Sequence, residues 1–305
     1  MKQLGICFDV GLNITVEQCY NYGKIQSKYA AGIAEPFGTA NIYNCCNFAE
    51  IIGNTHSAGI CSEMNYKSFI YNCINFGDIT LKECSGYNGG IASTANIAFN
   101  CYNVGNVIHQ DMNTNPGSLS GGIVGMGKNI ENCFNSGNIN SSAYAAGIAG
   151  NCTDIENCYN IGEIQSSVVA GGIVGATSNV TRCYNKGNVI SNSNAPTGGI
   201  SGWLTKGVEC YNTGNVKNNE IKTLGEIAQA REEMTLENCY FLQKETNAPA
   251  NGATPKSKEE MDEIMDMQKF VDLLNQKVQE YNSNSENTIK LKSWKLENGN
   301  PVFVE

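Results

Sequence analysis

The chain has 305 residues, of which 41% are hydrophobic and only 16% charged, with a net charge of −9. Average globular chains carry roughly 25% charged residues, so Asn, Ser, Thr and Gly must supply much of the polar surface. An acidic chain whose arginines, Arg182 and Arg231, stand alone has no means of neutralising a phosphate backbone, which excludes nucleic-acid binding of the usual kind. No run approaches the ~20 apolar residues of a membrane-spanning helix, so no span is expected in this chain.

At the start, Met1-Lys2-Gln3 leads straight into Leu4-Gly5-Ile6-Cys7, which is already one arm of a repeat, and no signal peptide is visible. A solenoid entered mid-coil would leave a bare sheet edge. The expectation is therefore a piece of a longer protein, with neighbouring domains of that parent among its partners.

The repeat first appears whole as Cys19-Tyr20-Asn21-Tyr22-Gly23-Lys24-Ile25, with a weaker copy from Cys45 to Ile51. It returns at Cys73 to Ile79, Cys101 to Val107, Cys133 to Ile139, Cys158 to Ile164, Cys183 to Val189 and Cys210 to Val216. Cys239-Tyr240 opens a ninth copy that fails at the later positions, so the repeat array should end there. Successive cysteines are 26, 28, 28, 32, 25, 25, 27 and 29 residues apart. Between them lies a second arm, Gly-Ile-x-Gly, clearest at Gly122, Gly147, Gly172 and Gly199. Two or three short strands per ~25-residue unit, with no 3.6-residue period, predict an all-β parallel β-solenoid of about eight coils. Stacked copies would bury a continuous core that one copy cannot. Ile and Val would form inward columns, glycines the corners, and the Asn after each aromatic a stacked amide ladder. Strand alternation puts Cys and Asn on one face and the aromatic on the other.

Cys19, Cys45, Cys73, Cys101, Cys133, Cys158, Cys183, Cys210 and Cys239 keep the repeat register. Side chains at equal positions on parallel strands point the same way, so these cysteines are expected to form a structural ladder of reduced thiols. Disulfides or a metal are the alternatives. Cys7 and Cys61 hold equivalent slots after a Gly-Ile pair.

Two places could make contacts. The distance from the Gly-Ile arm to the next Cys is constant in the later repeats, whereas the preceding segment varies. Its longest versions, Thr80 to Gly89 and Ile108 to Gly121, fall on adjacent coils. Insertions on one face of a solenoid often form the binding face, here with Glu83, Tyr87, His109, Asp111 and Asn113. Those residues and Cys84 could in principle hold a metal, or the loops could simply be solvated. The second place is the aromatic stripe that includes Tyr102, Phe134, Tyr159 and Tyr184, either exposed to a sugar or protein partner or packed on the wall beneath a loop. No cofactor is expected. The chain has no His-Glu-x-x-His and no Cys-x-x-Cys, and the aspartates of residues 5–240 (Asp9, Asp78, Asp111 and Asp154) are scattered over different coils, so no catalytic constellation emerges.

Beyond Tyr240 the composition changes, dividing the chain into a solenoid at 1–244 and a small α+β cap at 245–305. Asn247 to Gly252 reads as a linker. Ser257-Lys258-Glu259-Glu260 is a capping box that should start a helix running to about Tyr281, with Met261, Ile264, Met265, Val271, Leu274 and Val278 on its apolar face. Ile289 to Leu296 and Pro301 to Val304 predict two strands joined by a turn at Asn298-Gly299. This piece is expected to cover the last coil.

The alternation of Asn-Cys-Tyr-Asn-x-Gly-x-Ile with Gly-Gly-Ile-Val-Gly resembles the GLUG-motif repeat, over roughly Gly5 to Tyr240. The ending is similar too, in Trp294 and Asn298 to Val302. The resemblance implies a right-handed parallel β-helix in a bacterial protein that is secreted or at the cell surface, a group that includes N-terminal regions of IgA-cleaving metallopeptidases. It transfers no catalytic residue. The expected role is a non-catalytic extracellular module, spacer and contact surface in adhesion, whose partner is a host or cell-surface protein or glycan. The alternatives are a substrate-presenting accessory region of a secreted IgA-type peptidase and a carbohydrate-active β-helix enzyme.

Overall fold

A computed structural model describes residues 7–8, 14–35, 39–62, 68–83, 86–110 and 117–304. Each repeat makes one coil of a parallel β-solenoid with three stacked sheets. In the coil that starts at Cys133, Phe134–Asn135 joins sheet II, Ile139–Ser141 and Tyr144–Ala146 join sheet III, and Ala149–Glu156 joins sheet I. Sheet I has nine strands, sheet II ten and sheet III fourteen. Like residues sit on like residues: Ile139 pairs with Ile164, and Ile164 with Val189. Cys7 and Cys61 share a column, each paired with Ala34.

The spacing pattern has a direct structural cause. The sheet I strand is eight uninterrupted residues in coil after coil, as at Val124–Glu131, Val174–Thr181 and Ser201–Val208, and it holds the distance to the next Cys constant. Length varies in sheet III instead. Ile51–Ala58 runs straight through, but its two halves pair in the next coil with separate strands, Ile79–Leu81 and Tyr87–Gly89. The insertions emerge between those halves.

Two backbone devices turn the corners. The residue before each register cysteine has a left-handed conformation, with φ near +50° to +60° from Gln18 and Asn44 to Asn238. Asn, which visits this region at low cost, fills most of these positions. The first glycine of each Gly-Ile arm lies against the next coil: a Cβ on Gly172 would sit 2.0 Å from the Gly199 carbonyl oxygen and 2.4 Å from Asn185 Cγ.

The interior is built from columns. Ile33, Ile60, Ile91, Ile123, Ile148, Ile173, Ile200 and Ile227 are fully buried, as are most register cysteines. Burying one such aliphatic side chain contributes about 1.5–3 kcal/mol. Every register thiol donates to the carbonyl two residues earlier; Cys133 Sγ, for example, lies 3.2 Å from the Glu131 oxygen. The amide ladder also forms. Asn21, Asn47, Asn75, Asn103, Asn135, Asn160 and Asn185 each pass an Nδ2–H to the Oδ1 of the next, ending on Asn212, at 2.7–2.9 Å.

The C-terminal piece differs from expectation in several respects. First, sheet II continues past Tyr240, because Tyr240–Leu242 pairs with Thr254–Lys256. Second, the expected linker is packed: Glu226 N donates to the Pro249 carbonyl at 2.9 Å, and Asn251 Nδ2 reaches the Leu224 and Ala228 carbonyls. Third, the helix is two helices, α1 (Lys258–Ile264) and α2 (Met267–Ser283). The capping box opens α1, and Asp266 interrupts the run by capping α2 through Gln268 N and Lys269 N. The strands are Trp294–Glu297 and Asn300–Phe303, so residues 289–293 are not a strand. Fourth, α2 and the hairpin do not cover the last coil but lie along the solenoid wall. Phe270, Val271, Leu274 and Val278 of α2, Trp294 and Phe303 of the hairpin, and Leu291 between them pack with Phe99, Phe134 and Tyr159. The last coil is closed by Phe241, which takes the rung above Asn212, together with Ala253, Met234, Leu236 and Ala250.

Candidate functional site

Leu81 and His109, at the described ends of the two insertion loops, are paired in register on adjacent coils. His109, however, faces inward and is only 4% exposed. Its Nε2 lies 2.8 Å from the Glu83 carbonyl oxygen and its Nδ1 3.0 Å from Ser142 Oγ. A carbonyl can only accept, so Nε2 carries a proton, and in the neutral ring Nδ1 accepts from the hydroxyl. The imidazole thus ties three coils together. The Glu83 side chain is exposed and accepts from Thr55 Oγ1 at 3.4 Å. Tyr87 is half-buried and stands edge-on to His56, centroids 5.3 Å apart. Asp111, Asn113 and Cys84 lie outside the described residues. Among the described residues, no group of three or more His, Cys, Asp or Glu side chains is placed to hold a metal ion.

The aromatic stripe is a wall, and its cover is the C-terminal helix rather than a neighbouring loop. Tyr102 and Phe134 stack at 4.8 Å, Phe134 and Tyr159 at 5.1 Å, and Tyr184 and Tyr211 at 4.9 Å. Phe270 of α2 meets Tyr159 and Tyr184 edge-on, and burial pushes both phenols well above their ordinary pKa. Where the cover stops, rings emerge. Tyr20 is 53% exposed. A second row two positions further on, Tyr22, Phe48 and Phe76, is 75%, 43% and 43% exposed. These three rings stack 4.8 and 5.1 Å apart and within 6° of parallel. The row was legible as the x of Cys-aromatic-Asn-x-Gly, which is aromatic in the first three coils only. Because the rings cover each other's faces, the row presents mainly edges to solvent.

The left-handed asparagines form the rail that receives the C-terminal piece. Asn100 donates to Asn72 Oδ1 at 2.8 Å. The tail then binds the same side chains. Lys292 N donates to Asn72 Oδ1 at 3.1 Å, Asn100 Nδ2 donates to the Lys292 carbonyl at 3.0 Å, and Asn132 Nδ2 to the Leu274 carbonyl at 3.0 Å. Trp294 Nε1 donates to Asn100 Oδ1. Beside the rail runs a charged strip. Lys277 of α2 lies 3.1 Å from Glu131 and 3.9 Å from Glu156, and Arg182 also pairs with Glu156. Burial raises the Glu131 pKa, and Lys277 pulls it back.

No protein-family model matches the chain. No curated protein matches it either. Among solved structures it is similar to a proposed immunoglobulin A1 protease from Bacteroides ovatus, with 19% identity and a TM-score of 0.46, over 93% of this chain and 74% of that one.

Proposed function

We propose that the chain is a non-catalytic extracellular module that acts as a rigid spacer and as a contact surface for a protein partner. The observation that carries this reading is the exposed aromatic row Tyr22, Phe48 and Phe76, with Tyr20 beside it, on an otherwise filled scaffold. Aromatic side chains bury large areas at protein interfaces at little entropic cost. A glycan is a weaker candidate for this row, since a sugar ring packs on an aromatic face and these faces already stack on one another. The extracellular placement rests on the GLUG-like residues of the repeat. An accessory role beside a peptidase uses the same surface and differs only in the partner.

The test is binding of the whole chain to arrayed cell-surface and secreted proteins, immunoglobulin A included, and to arrayed glycans. A protein ligand lost on Tyr22→Ser with Phe48→Ser supports the reading, and immunoglobulin A as that ligand would favour the accessory role. Glycan cleavage, or a ligand indifferent to those substitutions, would sink it.

A further inference from the structure

The amide ladder ends in a cluster that its other rungs lack. Because the ninth copy carries Phe241 where Asn is expected, Asn212 has no amide above it. Its Nδ2 instead donates to Glu226 Oε2 at 3.0 Å, and Glu226 is 1% exposed. Asn247 Nδ2 and Ala248 N hold the other carboxylate oxygen, both at 2.9 Å. Lys244 reaches into the same corner, and its Nζ donates to the Gly214 carbonyl at 2.7 Å. Asn212 Nδ2 donates to that same oxygen at 3.0 Å, so the amine and the carboxamide are close neighbours.

The geometry points to an intramolecular isopeptide bond between Lys244 Nζ and Asn212 Cγ, formed with Glu226 as the proton carrier. An uncharged Lys244 attacks Cγ, and the Cγ–Nδ2 bond breaks. Glu226 first takes a proton from the Lys244 ammonium, freeing the amine, and returns it to Nδ2 as that nitrogen leaves; the remaining proton on the attacking nitrogen passes to the departing ammonia, so a lysine ammonium and a carboxamide become one secondary amide and one ammonium ion. No oxidant or other reactant is consumed. The corner holds what acyl transfer needs. Asn212 Oδ1 already accepts from Asn185 Nδ2 at 2.9 Å and from Gly214 N at 3.2 Å, two donors aimed where negative charge develops. The leaving nitrogen is bonded to the carboxylate that would protonate it. Burial lowers the Lys244 pKa, which favours the free amine, although Glu226 opposes this. Asn160 has the same two donors on its carbonyl, but its own amide donates to Gly162 O and Asn185 Oδ1 rather than to a carboxylate. The bond would lock the terminal coil, as a disulfide does elsewhere, without using a cysteine.

The test is the intact mass of the full-length folded chain, followed by peptide mapping. The expected result is a mass lower than the sequence by one ammonia, with a branched peptide joining Lys244 to Asn212. Lys244→Arg keeps the charge and bulk but removes the nucleophile, so it should restore the full mass in a folded protein, and Glu226→Gln should slow or abolish the loss. An unchanged wild-type mass overturns the proposal. So does a loss that survives in Lys244→Arg, which would mark a succinimide at Asn251-Gly252 or Asn298-Gly299, and so does a branch mapped to Asn247.

Discussion

Replacing Asn160 with alanine removes one rung from the middle of the amide ladder. The side chain is fully buried and makes four hydrogen bonds. It donates to Gly162 O at 2.9 Å and Asn185 Oδ1 at 2.9 Å, and it accepts from Asn135 Nδ2 at 2.7 Å and Gly162 N at 3.2 Å. Each bond is worth about 1 kcal/mol net, and each buried partner left unpaired costs about 1–3 kcal/mol. Asn135 keeps its bond to Gly137 O, so the rung should cost about 3–5 kcal/mol in total. Asn160→Asp keeps the volume but points an acceptor at Asn185 Oδ1 and Gly162 O. It should cost at least as much at neutral pH and recover partly in acid, where protonation restores a donor. Asn140→Ala, at an exposed position of the preceding coil, is the control and should stay within about 0.5 kcal/mol of the parent. Urea denaturation followed by circular dichroism reads all three. If Asn160→Ala and Asn140→Ala unfold at the same urea concentration, the ladder contributes nothing and the aliphatic columns alone hold the coils together.

Three further outcomes are expected. Leu274→Ala cuts into the buried face of α2 and should cost about 2–4 kcal/mol of docking. Protease should then cleave within 257–304 while the solenoid's β signal persists, and unaltered resistance would refute lateral docking. Burial pushes the Cys152 thiol up to about 12 from an ordinary 9.0. The folded state therefore keeps a proton that the unfolded chain loses above pH 9, and stability should fall between pH 9 and 12 by about 1.4 kcal/mol per pH unit for each such thiol. Fast alkylation of native Cys152 at pH 8 would contradict this. Lys277→Ala leaves Glu131 and Glu156 side by side and should cost about 1 kcal/mol at pH 7. Because burial already raises the Glu131 pKa, the folded variant takes up a proton more readily than the unfolded chain, so the loss should shrink as pH falls. A loss that grows in acid would argue against it.

The coil was legible because stacking forces every copy to repeat the same residue types at the same corners. Cys, Asn and the Ile columns all fall where strand alternation puts them. Even the left-handed corner leaves a mark, as Asn precedes Cys at Asn44, Asn72, Asn100, Asn132, Asn157 and Asn238. What a repeat cannot encode is its lateral partner. The apolar faces of α2 and of the tyrosine row were each visible, but nothing in their spacing says that they meet, or that Asn72, Asn100 and Asn132 would bind the tail backbone. The same limit applied to the loops. His109 reads as a solvent-facing candidate until Glu83 O and Ser142 Oγ, on different coils, are seen to hold it inward. The periodicity around Asp266 favours an unbroken helix, and only the structure shows that residue capping a second one.

The amide ladder has a direction: each Asn donates toward the C-terminal end, and the last donor meets a carboxylate. The array is therefore closed at its C-terminal end. A duplicated copy spliced between two existing rungs receives a bond from below and gives one above, and it costs the fold no new chemistry. A copy added beyond Glu226 would need a bond from Asn212 Nδ2, whose protons already go to Glu226 and Gly214 O, and would face a phenylalanine where its amide partner should be. Lengthening by gene duplication must then act ahead of the coil that carries Glu226 and Phe241, which stays last.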